Sequence, residues 1–371
     1  MKRQAESRKQ KAESRFQLSV FCFLRFDVLT LLLGVALLSP RGAFAQGADA
    51  GRLPKHVDGR VKAAIDAGLA YLANTQGRDG SWSNRGRYGA YPVAMTGLAG
   101  IALLMDGNTT TQGRYAPQVD RAARYLVRSA TANGEISRPD NEGRPMYGHG
   151  FSMLFLSELY GMTEDPARAV ELHDVLAAAV VLTARAQSGA GGWYYTSDSG
   201  NDEGSVTVTQ VQALRAARNA GIAVPKAVID LAMQYLAQSQ NTDGGIRYAV
   251  RQVQGGSRPA ITAAAVACWY NAGEYDSPLA KRALNYAKSH IRPDTTEGGH
   301  DFYAHMYLAQ ALYVSNDSDW DTYFPLRRDY FLTIQRPDGA WWGDGVGDVY
   351  GTAITLIVLQ LPYNQLPIMQ Q

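Results

Sequence analysis

Cysteine is almost missing from this chain, with two residues in 371, so it has no disulfide framework of the kind that holds small, loop-rich folds. An excess of one charge sign is missing too. The formal net charge is +2, and its surplus sits in a basic N-terminus. The rest is near neutral or slightly acidic, which excludes the electrostatic footprint of a nucleic-acid binder. Strand signals are nearly absent, because no period-two alternation is sustained between turn pairs. No Gly-rich phosphate loop follows a strand, and neither a DDxxD signature nor a Ser-centred nucleophile elbow occurs.

What is present is apolar. Hydrophobic residues make up 46% of the chain and charged residues 19%, which is enough for one large core. Residues 1–45 read as an export signal: the basic MKRQAESRKQKAESR, an apolar run from Val28 to Leu38, then Ala43-Phe44-Ala45 as the cleavage site. Arg25 and Asp27 interrupt the apolar stretch. The uninterrupted run is short of the ~20 residues of a membrane span, so an uncleaved anchor is the rival reading and the one route to membrane association. The expected location is periplasmic or extracellular. Cleavage removes Cys22 and leaves Cys268 as the lone thiol, so the fold must rest on packing.

The chain repeats itself. GLAYLANTQGRDGSW, from Gly68 to Trp82, carries a small residue, an aromatic-Leu pair, Gln about one turn further on, then Gly and Trp two residues apart. Much of this recurs in AMQYLAQSQNTDGGI, from Ala232 to Ile246, which contains Gln240, and in RDYFLTIQRPDGAW, from Arg328 to Trp341, which contains Gln335. Weaker copies keep Tyr125, Leu126 and Gly134 with Ala130 where Gln is expected, or keep Gln187 and Trp193 without the aromatic. The copy around Tyr286 is the most eroded. Six copies spaced by roughly 44 to 57 residues fit a helix pair with two connections.

Each copy has two parts. The first is amphipathic: in VDRAARYLVRSA, Asp120, Arg121, Arg124 and Arg128 share one face, and Ala122, Ala123 and Leu126 another. The second is apolar nearly all round, as in YPVAMTGLAGIALLMDG, and reads as a helix buried on every side. Six outer and six inner helices predict an all-α fold, an (α/α)6 toroid of six helical hairpins over residues 46–371, closed so that no end repeat exposes its core.

These residues carry a family resemblance. The Gln-x3-Gly-x-Trp copies at Gln76 to Trp82 and Gln335 to Trp341 resemble the QW repeats of squalene-hopene and oxidosqualene cyclases, and the helix pairing is similar to the β-subunit of protein prenyltransferases. The resemblance covers roughly Val61 to Pro362. It implies that Gln76, Gln187, Gln240 and Gln335, with Trp82, Trp193 and Trp341, tie neighbouring repeats together, since Gln can bond exposed helix ends and Trp buries a large ring over a Gly turn. It also implies a DxDD acid or a zinc site of Asp, Cys and His, and the sequence has neither. Cys268 lies mid-helix with no Asp two residues before it. No metal or cofactor is expected.

The inner-helix N-termini should meet at one end of the ring, and candidate site residues are sought there. Asp202 and Glu203, before the third inner helix, are the nearest match to a catalytic acid, with helix capping as the plain alternative. Tyr195, His149, His300, Asp301, Tyr303, His305, Asp348 and Tyr350 are candidate ligand contacts. Asp301 and His305 lie one helical turn apart. The expected function is an exported repeat protein that binds an apolar isoprenoid or lipid-like ligand without the family's standard catalytic motifs. A divergent terpene cyclase or mutase using acids at inner-helix N-termini is the alternative, followed by a polysaccharide lyase or hydrolase.

Overall fold

Twelve helices alternate along the chain in a computed structural model that describes residues 53–370 apart from Arg85, Ser199, Glu297 and Asn316. The expected signal, residues 1–45, lies outside the described residues. The outer helices are α1 (Gly59–Thr75), α3 (Ala116–Arg128), α5 (Pro166–Ala186), α7 (Lys226–Gln238), α9 (Pro278–His290) and α11 (Asp317–Ile334). The inner helices are α2 (Pro92–Met105), α4 (Pro145–Gly161), α6 (Gly204–Asn219), α8 (Pro259–Asn271), α10 (Asp301–Ser315) and α12 (Asp348–Gln360). Among the described residues there are isolated β-bridges but no strand.

Local chemistry starts these helices. Pro92, Pro145 and Pro259 open α2, α4 and α8, at the position where a missing N–H costs nothing and the fixed φ suits a helix. Asp58 accepts from the N–H groups of Arg60 and Val61 at the start of α1. Sequence pattern then sorts the helices. Every residue of α2 is buried, whereas α3 buries Val119, Ala122, Ala123 and Leu126 and leaves Arg124 and Arg128 exposed.

The inner helices form a closed ring, each packed on the next and α12 packed on α2. Gln360 Nε2 of α12 donates to the Ala102 carbonyl of α2 at 3.0 Å. The outer ring closes as well, since Gln335 Nε2 reaches Ala64 O of α1 at 2.9 Å. Each outer helix packs most heavily on the inner helix that precedes it, and α1 packs on α12. The structural hairpin is therefore inner then outer, one helix out of phase with the sequence repeat, and the first of the described helices, α1, completes the last hairpin with α12.

The repeated residues act identically. Gln76, Gln187, Gln240 and Gln335 each donate from Nε2 to the carbonyl of the turn Gly four residues on, and to a carbonyl in the first turns of the next outer helix: Gln118, Val228, Leu279 and Ala64. Trp82, Trp193 and Trp341 are buried, and each indole N–H donates to the carbonyl ten residues back. The turn glycines Gly80, Gly134, Gly191, Gly244 and Gly339 hold φ between +88° and +100°. A Cβ there would stand 2.3–2.7 Å from a carbonyl oxygen of the next outer helix, so both conformation and contact require glycine. Between α9 and α10, where the repeat is eroded, Gly298 and Gly299 make no such contact.

Candidate functional site

All six inner helices begin at one end of the ring, and a cavity of about 840 Å³ lies there. Its volume falls within the range of small-molecule sites. The buried walls come from one or two turns into the inner helices: Met95 and Leu98 of α2, Phe151 of α4, Ile261 of α8 and Ala304 of α10. Seven phenols follow, namely Tyr88, Tyr91, Tyr147, Tyr195, Tyr248, Tyr303 and Tyr350. Arg87, Arg144, Arg258 and Arg292 are also part of the lining and are exposed.

The helix starts at this cavity are capped by buried or half-buried acceptors. Glu142 accepts from Val93 N–H of α2 at 2.7 Å, and burial raises its pKa to about 7 against that bond. Asp344, in the left-handed region at φ 51°, accepts from Phe302 and Tyr303 N–H of α10 and from the Tyr350 hydroxyl; burial pushes its carboxyl up. Glu203 caps α6 by accepting from the N–H groups of Ser205 and Val206 at 2.9 and 2.6 Å. Burial raises its pKa, and the Ser205 bonds oppose that.

Glu203 does not touch the cavity, but Ser205 does. The Ser205 hydroxyl lies 2.7–2.8 Å from both Glu203 oxygens and 2.6 Å from the Tyr147 hydroxyl. Tyr303 OH donates to the Ser205 carbonyl at 2.9 Å. A proton path of hydroxyls therefore joins a buried carboxyl to the wall.

Of the ligand contacts expected from sequence, Tyr195, His300, Asp301, Tyr303 and Tyr350 line the cavity. His149 and His305 do not. His149 is wholly buried, with Nδ1 3.1 Å from Ile136 N–H and Nε2 2.9 Å from the Thr183 hydroxyl of α5. His305 Nδ1 lies 2.7 Å from the Tyr323 hydroxyl of α11. Desolvation lowers both imidazoles to about 4, so they are neutral ties between an inner helix and the outer helix after it. Asp348 also stands off the wall, ion-paired with Arg336. Asp202 is buried outside the lining, with Arg251 Nε 3.8 Å from its Oδ2.

Asp301 is claimed by Arg327, wholly buried, whose Nη2 donates to Oδ2 at 2.6 Å. Burial alone would raise this carboxyl, but His305 and Arg327 hold it below the usual range. Among the described residues, no three His, Cys, Asp or Glu side chains gather closely enough to hold a metal ion. Cys268 is a buried core thiol pushed up by desolvation. Sequence reasoning missed the arginines and Ser205. A readable signal existed, because Arg144, Arg258 and Arg292 each precede a proline, which holds the preceding residue extended.

No protein-family model matches the chain. A drimenyl diphosphate synthase of Streptomyces showdoensis is 27% identical over 204 residues, 54% of this chain and 35% of that enzyme. The match thus spans about a third of this curated relative's length. Among solved structures, the type II terpene cyclase MstE from Scytonema, in complex with geranylgeranyl dihydroxybenzoate, superposes with a TM-score of 0.55 at 14% identity over 82% of this chain and 97% of that one. An α-1,6-mannanase of Salegentibacter gives 0.60 at 10% identity, over 81% and 98%. At these identities the shared property is the fold. The chain has the α/α toroid fold of type II terpene cyclases.

Proposed function

We propose that this chain is an exported toroid that binds an apolar, isoprenoid-like ligand in the cavity at the inner-helix N-termini. The observation that carries this reading is the cavity itself: about 840 Å³, with buried walls of Met95, Leu98, Phe151 and Ile261 joined by seven phenols. Apolar walls of that extent favour a ligand by roughly 25 cal/mol per Å² removed from water. The terpenoid products and substrates named for the relatives above support the same class. A glycoside hydrolase needs two working carboxyl groups facing its substrate. Among the described residues, Asp301 is the one carboxylate on the wall, and Arg327 occupies it.

Titration of the full chain with farnesol, followed by tyrosine and tryptophan fluorescence, should give saturable binding, and Leu98→Trp should block it. Linear, unsaturable quenching would sink the reading. Export is read from residues 1–45, and its test is the N-terminal sequence of the protein recovered outside the cytoplasm.

One observation favours catalysis as a second reading: Ser205 links the raised Glu203 carboxyl to Tyr147 on the wall. Two backbone N–H groups favour the ionised form, which suits a helix cap better than an alkene-protonating acid. A cyclic product made by the native chain and lost in Glu203→Gln, with ligand binding retained, would reverse that preference.

A further inference from the structure

The ring has a second mouth, at the C-terminal ends of the inner helices, and the chain after α12 lies across it. Two 3₁₀ turns, Leu361–Tyr363 and Pro367–Met369, shape this tail. The first packs on α10 and the second on α6. Between them Asn364 takes the left-handed region at φ 55°, and Gln365 Oε1 comes within 4.0 Å of where a Gly107 Cβ would stand, just past the end of α2. Leu366, Ile368 and Met369 are buried in the core, and that burial seats the tail. Its backbone hydrogen bonds stay within it: the Asn364, Met369 and Gln370 N–H groups donate to the Leu361, Leu366 and Pro367 carbonyls.

One buried carboxyl meets this tail. Glu158, in the last turn of α4, is buried, and the Ile368 N–H lends it a hydrogen bond. Among the described residues its Oε2 has no partner. A protonated carboxyl suits such a place, whereas an ionised one is a buried charge without a cation. Burial holds this group up to about 8, from 4.5, and the Ile368 N–H opposes that. The ionisable groups of the elements packed on α4 are engaged elsewhere. Helix α2 carries none, and Asp106 after it is held by Asn108 and Lys62. On α5, Arg168 pairs with Asp120 and Glu171, and His173 with Asp174. Arg215 of α6 feels Arg218 and Tyr275, and Tyr363 of the tail feels Asp66 and Asp106.

We infer that the tail is a stopper, seated across the far mouth while Glu158 is protonated and loosened when that carboxyl ionises. With the tail seated, Glu158 titrates at about 8; with the tail lifted, water reaches it and it returns to 4.5. Below that lower value both states hold the proton, and seating is at full strength. From there up to the higher value, each pH unit shifts the balance toward release by about 10-fold, and beyond it the loss levels off. Release bares the inner-helix C-termini, at the end of the ring opposite the cavity.

Hydrogen exchange of the full chain measures seating, read on the peptide that carries Asn364, Met369 and Gln370 and divided by the rate of the same peptide free in solution. Protection should fall about 100-fold or more between about pH 5 and about pH 7.5. Peptides from α4 and α10 should keep theirs, because the ring itself stays closed. Glu158→Gln fills the same space and is neutral throughout, so its tail protection should change by less than about 3-fold over that range. Glu158→Leu removes the titration with an apolar side chain and should behave alike. Constant protection in the native chain would overturn the stopper, as would a fall that survives in both variants. A fall shared equally by α4 and α10 would overturn it too, since the whole ring would then be loosening.

Discussion

One turn into an inner helix, a side chain accepts the N–H that ends the preceding turn. Thr96 does so for Trp82, Thr207 for Trp193, Thr262 for Ile246 and Thr352 for Trp341. His149 does it for Ile136 and uses its second nitrogen to hold Thr183. Its pKa is lowered to about 4 by burial, from 6.5. Between those values the unfolded chain binds more protons than the folded one. His149 therefore contributes stability that is full above pH 6.5 and lost as pH falls through 4, on the order of 3 kcal/mol in total. His149→Thr restores the residue of the other repeats. Calorimetry at pH 7 and pH 5 should give a smaller drop in Tm for the variant than for the native chain, and an equal drop would refute this role. Nothing in the local sequence separates a histidine that replaces threonine from one that faces a ligand. Only its register against the other inner helices does, which is why His149 and His305 read as candidate contacts.

The turn between an outer and an inner helix is the unit in which the repeats differ from one another. In the second repeat, Ser129, Ala130, Gly134 and Ile136 match Ser239, Gln240, Gly244 and Ile246 of the fourth, including the β-bridge that closes each turn. The fourth has a glutamine tie to Leu279, three residues before the carbonyl that meets its turn glycine. The second has Ala130 instead, although Gly134 meets Ala178 in the same manner. Ala130→Gln should therefore bond the Gly134 and Val175 carbonyls and add about 0.5–1.5 kcal/mol. Gln187→Ala, which removes the same tie elsewhere, should cost about 1–3 kcal/mol, since it leaves a half-buried carbonyl pair without their donor. Urea melts decide both, and no gain in the first would show that the turns are not equivalent. These turns were legible because glycine, glutamine and tryptophan are forced there by backbone conformation and hydrogen bonding. The cavity arginines were not, because an exposed cation carries no periodicity, and only the prolines after Arg144, Arg258 and Arg292 mark them.

At the scale of the ring, six copies and two helix types were enough to read closure, but not its phase. A linear repeat is cut most naturally before its outer helix, whereas packing pairs each inner helix with the outer helix after it. Only the junction of α12 with α1 reveals the difference. Gly68 of α1 lies so close to Trp341 that an added Cβ would come within 2.8 Å of the indole, and Gln335 spans 271 residues to reach Ala64. A chain starting at Leu53 should melt in one sharp transition. One starting at Gln76 should expose the outward face of α12, bind a hydrophobic dye and lose cooperativity. Retention of a sharp transition by the shorter chain would mean that the arc is stable open.

That junction also sets an order in time. Helix α1 has no permanent neighbour on one side until α12, made almost 300 residues later, leaves the ribosome. A growing polypeptide cannot seal the circle early, and whatever enters the middle must wait for, or take part in, that final fastening.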